Sequence, residues 1–168
     1  MQDNHVPDDA ALAERVEVLA SRLKELGWTL STAESCTGGW IAKCCTDRAG
    51  SSAWFERGFV TYSNGAKRDM LGVEEIVLEQ AGAVSSEAAM QMVSGAIARA
   101  GTETAVAVTG IAGPDGGSDD KPVGSVWLAW SIRGSVEAEL KQFPGDREAV
   151  RRYTVSHALQ GLIDRLPE

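Results

Sequence analysis

Apolar residues recur along this chain with two different periods. Leu12, Val16, Leu19, Leu23 and Leu26 fall at steps of four and three, which lines one face of a helix that Gly27 is placed to end. "WTLSTAES" follows as a short strand, and Trp40, Ile41, Cys44 and Cys45 return to a helical face that stops near "DRAGSS". "FERGFVTYSN" alternates and is rich in aromatic and β-branched residues, so it predicts a second strand, with Ser63-Asn64 turning the chain into "GAKRDMLGV". Helices fit "EEIVLEQAG" and "SSEAAMQMVSGAIARAG", the latter opened by a Ser-x-Glu cap and closed by Gly101.

"TAVAVTG" is almost wholly apolar, the mark of a strand buried on both faces. "GSVWLAWSI" and "SVEAELKQF", joined by "RG", predict an antiparallel pair. A last helix runs from about Asp146 to Leu166, with Val150, Thr154, Ala158 and Leu162 at four-residue steps. The order α-β-α-β-α-α-β-β-β-α predicts an α/β fold: a single-domain, three-layer α/β/α sandwich. Its sheet has about five strands, mixed but mainly parallel, with one strand antiparallel. In such sheets ligands gather at the carboxyl ends of the strands, where Ser35, Tyr62 and Thr109 all fall.

Length and composition narrow the function. With 168 residues the chain is the size of one domain, expected over 10–168 behind a flexible arm at 1–9. No apolar run approaches the roughly 20 residues that span a bilayer, and "MQDNHVPDDAALAE" has neither the basic start nor the apolar core of a signal peptide. The expected location is the cytoplasm, with no membrane partner. Cys36, Cys44 and Cys45 are an odd set without C-x-x-C spacing and read as reduced thiols. A net charge of −8 opposes broad nucleic-acid binding and leaves a small anionic ligand as the plausible partner.

Candidate chemistry concentrates in two stretches. In "STAESCTGGWIAKCC" the hydroxyls of Ser35 and Thr37 precede Gly38-Gly39 and a helix, whose first amides lack intrahelical partners. Ser35 is either a helix cap, worth about 1 kcal/mol, or a nucleophile; capping by Thr37 would leave Ser35 free. The two glycines would admit a substrate to backbone amides acting as an oxyanion hole. Cys36 should point away as a packed thiol. The chain's two histidines, His5 and His157, offer a Ser-His-Asp triad little, whereas a serine can use a neutral lysine as base. Of the five lysines Lys67 stands apart, just past Tyr62 and beside Arg68, whose charge would favour the neutral amine; its bland alternative is a solvated lysine at a helix start.

The second stretch, "VTGIAGPDGGSDDKPVG", ends a strand at Thr109-Gly110 and supplies Gly113, Gly116 and Gly117 in a loop suited to a phosphate or ribose. It matches neither a triphosphatase loop nor a dinucleotide fingerprint. Asp115, Asp119 and Asp120 lack the spacing of a calcium loop, so no metal site is expected. Arg147 in "PGDREAV" is either an ordinary first-turn residue or a bidentate partner for carboxylate or phosphate.

"AESCTGG", "GFVTYSNGAKRDMLGV", "AVAVTGIAGPDGG", "KPVGSVW" and "FPGDRE", in this order, resemble the carboxy-terminal domain of the CinA family, the competence- and damage-inducible proteins. The likeness runs from about Leu12 to Leu162 and is to the stand-alone form. It implies an anticodon-binding-like α/β/α fold and hydrolysis of the carboxamide of nicotinamide mononucleotide to nicotinic acid mononucleotide and ammonia, serving pyridine-nucleotide salvage without metal or cofactor. Ser35 matches the family's nucleophile and Lys67 its base, while Tyr62, Thr109 and Arg147 match further active-site positions. A homodimer or higher homo-oligomer is implied from the family alone. In this reading Thr37, Gly38, Gly39, Gly110, Gly113 and Arg147 bind substrate, and the Thr109 hydroxyl joins the amides near Ser35 around the oxyanion. Two alternatives stand beside it: a catalytically silent nucleotide-binding module, and an amidase for another small amide.

Overall fold

The computed structural model describes residues 5–168. Asp8 caps the first helix, α1 (Asp9–Leu26), by accepting from the Ala11 amide at 2.8 Å, and Gly27 ends it with φ 67°. The expected flexible arm at 1–9 therefore lies partly outside the described residues, and its last two positions belong to this helix and its cap. Strand β1 (Leu30–Glu34) leads through a tight turn into α2 (Trp40–Asp47). A short 3₁₀ turn precedes β2 (Phe55–Val60).

Next comes α3 (Asn64–Leu71), a helix absent from the expected element order, although the bland reading of Lys67 sets it at a helix start. Eight residues carry too little apolar periodicity to announce a helix, but its punctuation is present. The Ser63 hydroxyl accepts from the Ala66 amide at 3.0 Å, and Gly72 closes the helix with φ 70°. Helices α4 (Glu75–Gln80) and α5 (Ser86–Ala100) follow, then β3 (Thr104–Gly110), β4 (Ser125–Ile132), β5 (Ser135–Gln142) and α6 (Arg147–Arg165).

The five strands form one sheet in the order β2-β1-β3-β4-β5. β1 pairs in parallel with both β2 and β3, whereas β3–β4 and β4–β5 are antiparallel, so β4 alone runs against the other four. The expected mixed, mainly parallel sheet is the one observed. β1 and β3 are buried on both faces. Val106, Val108, Leu128 and Trp130 meet Leu12, Leu19, Leu23, Val150 and Leu159 on the α1/α2/α6 side. Ala33, Ala105, Ala107 and Ala129 face Met92, Val93 and Ala96 of α5 on the other. The alternation in "TAVAVTG" thus gives one helix layer a surface of methyls and the other a surface of branched chains.

Two close approaches fix the helices that flank the site. Trp130 lies under α6, its indole N–H donating to the Ala158 carbonyl at 3.0 Å, where Gly161 leaves room for the ring. Gly95 of α5 admits the end of α3, since any Cβ there would run into the Leu71 carbonyl. Gly95→Ala should therefore cost about 1–3 kcal/mol, read as a lower urea midpoint, and should push α3 off the sheet.

Candidate active site

Because β1, β2 and β3 are parallel, their carboxyl ends share one edge of the sheet. The chain leaves β1 through α2 on one face and leaves β2 through α3–α5 on the other, so the connections diverge around β1. A crevice at such a divergence is the expected ligand site of an open α/β sheet. An open cleft of about 300 Å³ lies there, bordered by Ser35, Tyr62, Lys67, Thr109, Gly113 and Arg147 among others. Six sequence-predicted residues from four separate stretches are thereby brought together, and Gly110 borders the same cleft.

The backbone frame around Ser35 is rigid. Its amide donates to the Val108 carbonyl at 3.1 Å, and the Glu34 carbonyl accepts from the Thr61 amide at 2.9 Å, extending both parallel ladders past the strand ends. Ser35 is 7% exposed. Lys67 sits one turn inside α3, where a helical side chain leans back toward the N-terminus. That tilt carries Nζ to the end of β2, 2.9 Å from Ser35 Oγ, 2.9 Å from the Thr61 carbonyl and 3.1 Å from the Tyr62 carbonyl.

At 1% exposure Lys67 is no solvated helix-start residue. Burial holds its pKa below lysine's ordinary value, because removing water penalises the charged form. Arg68 does not supply the expected field; its guanidinium is paired with Glu75 at 2.6 Å.

The turn after Ser35 departs from expectation. Thr37 does not cap α2: its hydroxyl donates to Glu34 Oε1 at 2.6 Å, and the N-cap position is Gly39, which has no side chain to offer. Glu34, 1% exposed, does the capping from the strand end. It accepts from the Ile41 amide at 2.8 Å and the Ala42 amide at 3.1 Å. Burial raises its pKa, and these hydrogen bonds act in the opposite direction. Gly38 and Gly39 have φ of 59° and 101°, which shape the turn, but Thr37 and Gly38 border a depression shared with Trp40 and Arg151 on another side. Cys36 packs into the core as expected, its thiol pushed up to about 12 by burial.

The side chains of Thr109 and Tyr62 are both already engaged. The Thr109 hydroxyl donates to the Ala83 carbonyl at 2.8 Å, so its one proton is engaged and an oxyanion would meet only its lone pairs. Tyr62 touches the serine and lysine through its carbonyl, while its phenol, on a residue 62% exposed, accepts from Arg147 Nη2 at 3.4 Å. Arg147 also donates to the Gly113 carbonyl at 2.8 Å, bridging the Gly-rich loop and the rim. His157 lies edge-on to Trp130 and Phe143 with Nε2 3.4 Å from Glu139, outside the cleft.

Sequence reasoning overlooked Glu34 and Arg151. Arg151 donates from Nε to the Cys36 carbonyl and from Nη2 to the Thr37 carbonyl, both at 3.1 Å. The signals were present as a carboxylate ending a strand before a Gly pair, and a second arginine one helical turn after Arg147.

Residues 12–166 match the CinA C-terminal domain. The chain belongs to that family. It is 54% identical over 155 residues to the nicotinamide-nucleotide amidohydrolase PncC of Escherichia coli K12, covering 92% of this chain and 94% of that one. It is 57% identical over 145 residues to the PncC of Pseudomonas putida, covering 86% and 91%. The crystal structure of the competence/damage inducible protein CihA from Agrobacterium tumefaciens superposes with a TM-score of 0.90 at 49% identity, covering 95% and 97%. Among the described residues no helix is long and apolar enough to cross a membrane.

Glu34→Gln would turn an amide NH₂ toward one of the N–H or O–H groups that the carboxylate now accepts from. The expected outcome is a loss of about 1–3 kcal/mol in chemical denaturation.

Proposed function

We infer that this chain hydrolyses the carboxamide of nicotinamide mononucleotide, a small nucleotide, to nicotinic acid mononucleotide and ammonia, with Ser35 as nucleophile and Lys67 as base. The observation that carries the mechanism is a buried amine 2.9 Å from a serine hydroxyl, with every other contact to a neutral oxygen. A neutral amine has two N–H groups and one lone pair. The Thr61 and Tyr62 carbonyls match the two donors, which leaves the lone pair for the Ser35 hydroxyl proton once that hydroxyl rotates away from its long contact to the Tyr62 carbonyl at 3.4 Å. Without a carboxylate to hold it charged, the amine is set up as a base.

In the proposed reaction Lys67 takes the Ser35 proton as Oγ bonds to the carboxamide carbon, and the carbonyl electrons move onto oxygen. The Ser35 amide is bonded to Val108 and the Gly38 amide to the Ser35 carbonyl, so the oxyanion falls to the amide of Cys36, the next residue that borders the cleft. As the tetrahedral species collapses, the C–N bond breaks and the Lys67 ammonium returns its proton to the departing nitrogen, giving ammonia and an acyl-serine. Water, deprotonated by Lys67, then attacks the ester carbon; the C–Oγ bond breaks, Lys67 returns the proton to Ser35 Oγ, and the acid leaves. Thr109, with its proton engaged, accepts from the carboxamide NH₂, which corrects its expected role as oxyanion donor. Arg147, beside Gly113 and Tyr62, takes the phosphate. The family resemblance further supports a cytoplasmic homo-oligomer, which light scattering of the purified protein tests.

Ammonia release from nicotinamide mononucleotide should fall by at least about 10³-fold in both Ser35→Ala and Lys67→Ala. Full turnover in either variant refutes the pairing, and no release by the unaltered protein returns the silent nucleotide-binding module.

The pH dependence has a definite sign. Only the neutral amine accepts the proton, and burial lowers its pKa from 10.5. In steady-state assays kcat/KM should rise with pH through an apparent pKa below that value and level off above it. A rate that falls as the amine deprotonates would contradict the assignment.

A further inference from the structure

We propose that Asp115 is a specificity-determining residue of the cleft: its carboxylate is the countercharge for the cationic pyridinium ring of the nucleotide, as Arg147 is for the phosphate. The proposal rests on the substrate class named above and deepens it, because it assigns each charged part of the nucleotide to its own side chain.

Apart from the Cys36 thiol and the Tyr62 phenol, the ionisable side chains that border the cleft are Lys67, Asp115 and Arg147. Lys67 is buried among neutral oxygens, which leaves one carboxylate and one guanidinium as the fixed charges. They are anchored close together, since Arg147 donates to the carbonyl of Gly113, two residues before Asp115. Yet they do not neutralise each other. The polar contacts of Arg147 are the Gly113 carbonyl and the Tyr62 phenol, and Asp115, which is exposed, makes no hydrogen bond or ion pair among the described residues.

A free carboxylate beside a phosphate site weakens the binding of an ordinary anion, because like charges repel. It becomes an asset when the ligand also carries a positive centre. Nicotinamide mononucleotide does: its ring nitrogen, bonded to the ribose, is a permanent cation lying meta to the carboxamide. With the carboxamide carbon at Ser35 Oγ and the phosphate at Arg147, the ring and its glycosidic bond fall between the two. A cleft with two opposite, uncancelled charges is the complement of such a zwitterion.

The loop is built to keep Asp115 in place. Gly113 and Gly117 press on Val123 so closely that a Cβ on either would come within 3 Å of it, and the Ser118 amide donates to the Lys121 carbonyl at 2.9 Å. At Gly116, with φ 93°, the chain folds back until a Cβ would stand 3.6 Å from Ile111 Cγ2. Ile111, Ala83 and Val84 border the same cleft and offer a flat ring an apolar wall. Asp115 is therefore one residue from backbone in contact with that wall. The other charged residues of the loop, Asp119, Asp120 and Lys121, do not border the cleft; Lys121 donates to the Ala81 carbonyl at 2.7 Å. Because the ring is cationic in substrate, tetrahedral species and product alike, the effect belongs to KM and leaves kcat alone.

The test compares Asp115→Asn and Asp115→Glu with the unaltered protein on nicotinamide mononucleotide and on its neutral isostere, the benzamide nucleotide in which carbon replaces the ring nitrogen. Asp115→Asn should raise KM for the charged nucleotide by about tenfold with kcat within about twofold, and should move KM for the neutral one by less than about twofold. Asp115→Glu should keep most of the preference. Equal losses on both nucleotides would assign the carboxylate to the ribose hydroxyls they share, and a gain on both would make it only a repeller of phosphate; either result overturns the proposal, as does no change on either. If Asp115→Asn fails to fold by circular dichroism, the same comparison in Asp115→Ser decides. Equilibrium dialysis of both nucleotides, run in parallel, separates the two claims. If the unaltered protein releases no ammonia but prefers the charged nucleotide, and Asp115→Asn loses that preference, the reaction fails and the role of Asp115 stands. If ammonia is released and the preference is the same with and without the carboxylate, only the role of Asp115 fails; binding of neither nucleotide overturns both.

Discussion

A lysine amine enclosed by protein is expensive to charge, and this expense organises the catalytic end of the molecule. Lys67 is 1% exposed and meets three oxygens, none of them ionised. Two are main-chain carbonyls just past β2, so the amine is held by backbone that cannot rotate away. The third belongs to Ser35, whose own amide is tied to β3. Ser35 and Lys67 are therefore referenced to three adjacent parallel strands, and their separation is a property of the sheet more than of any flexible loop. For the proposed proton transfer from Ser35 to Lys67, such preorganisation leaves little to rearrange when the proton moves.

The helices complete the arrangement from both faces. α3 is short, and its place depends on Ser63 at its start and on the gap at Gly95 where it meets α5. α6 approaches from the other face, seated on Trp130, and contributes from its first two turns. Arg147 reaches the Gly-rich loop and the Tyr62 phenol, and Arg151, four residues on, reaches the turn after Ser35. The contacts to the Gly-rich loop and to the turn after Ser35 thus share one rigid rod, and a displacement of α6 would disturb both together.

Much of this was legible before any coordinates. Period and punctuation located ten of the elements, including the double-sided burial of β3, because long amphipathic helices and apolar strands leave strong patterns. The eight residues of α3 did not, since a two-turn helix that buries only Lys67 and Leu71 has almost no apolar stripe to read. The parallel strands made the convergence of Ser35, Tyr62, Lys67 and Thr109 a consequence of topology. What the sequence could not disclose was hydrogen-bond allegiance. Whether Thr37 or Glu34 caps α2, and whether Thr109 keeps its proton for a ligand, depends on directions set by packing partners as distant as Ala83. Arg68 illustrates the same limit: its charge was counted toward Lys67, but Glu75 already holds it.

The placement of Cys36 carries a consequence for durability. A thiol stands immediately after Ser35 in the chain, and in a wetter, more positive setting it would ionise and compete for electrophiles. Here its thiol is pushed up to about 12 and packed among apolar neighbours, so at physiological acidity almost none of it exists as the thiolate that peroxides and alkylating agents attack. Cys45 is shielded in the same way, while Cys44 stands at about 11. The fold therefore holds all three sulfurs in their un-ionised form, the form least open to oxidants and alkylating agents.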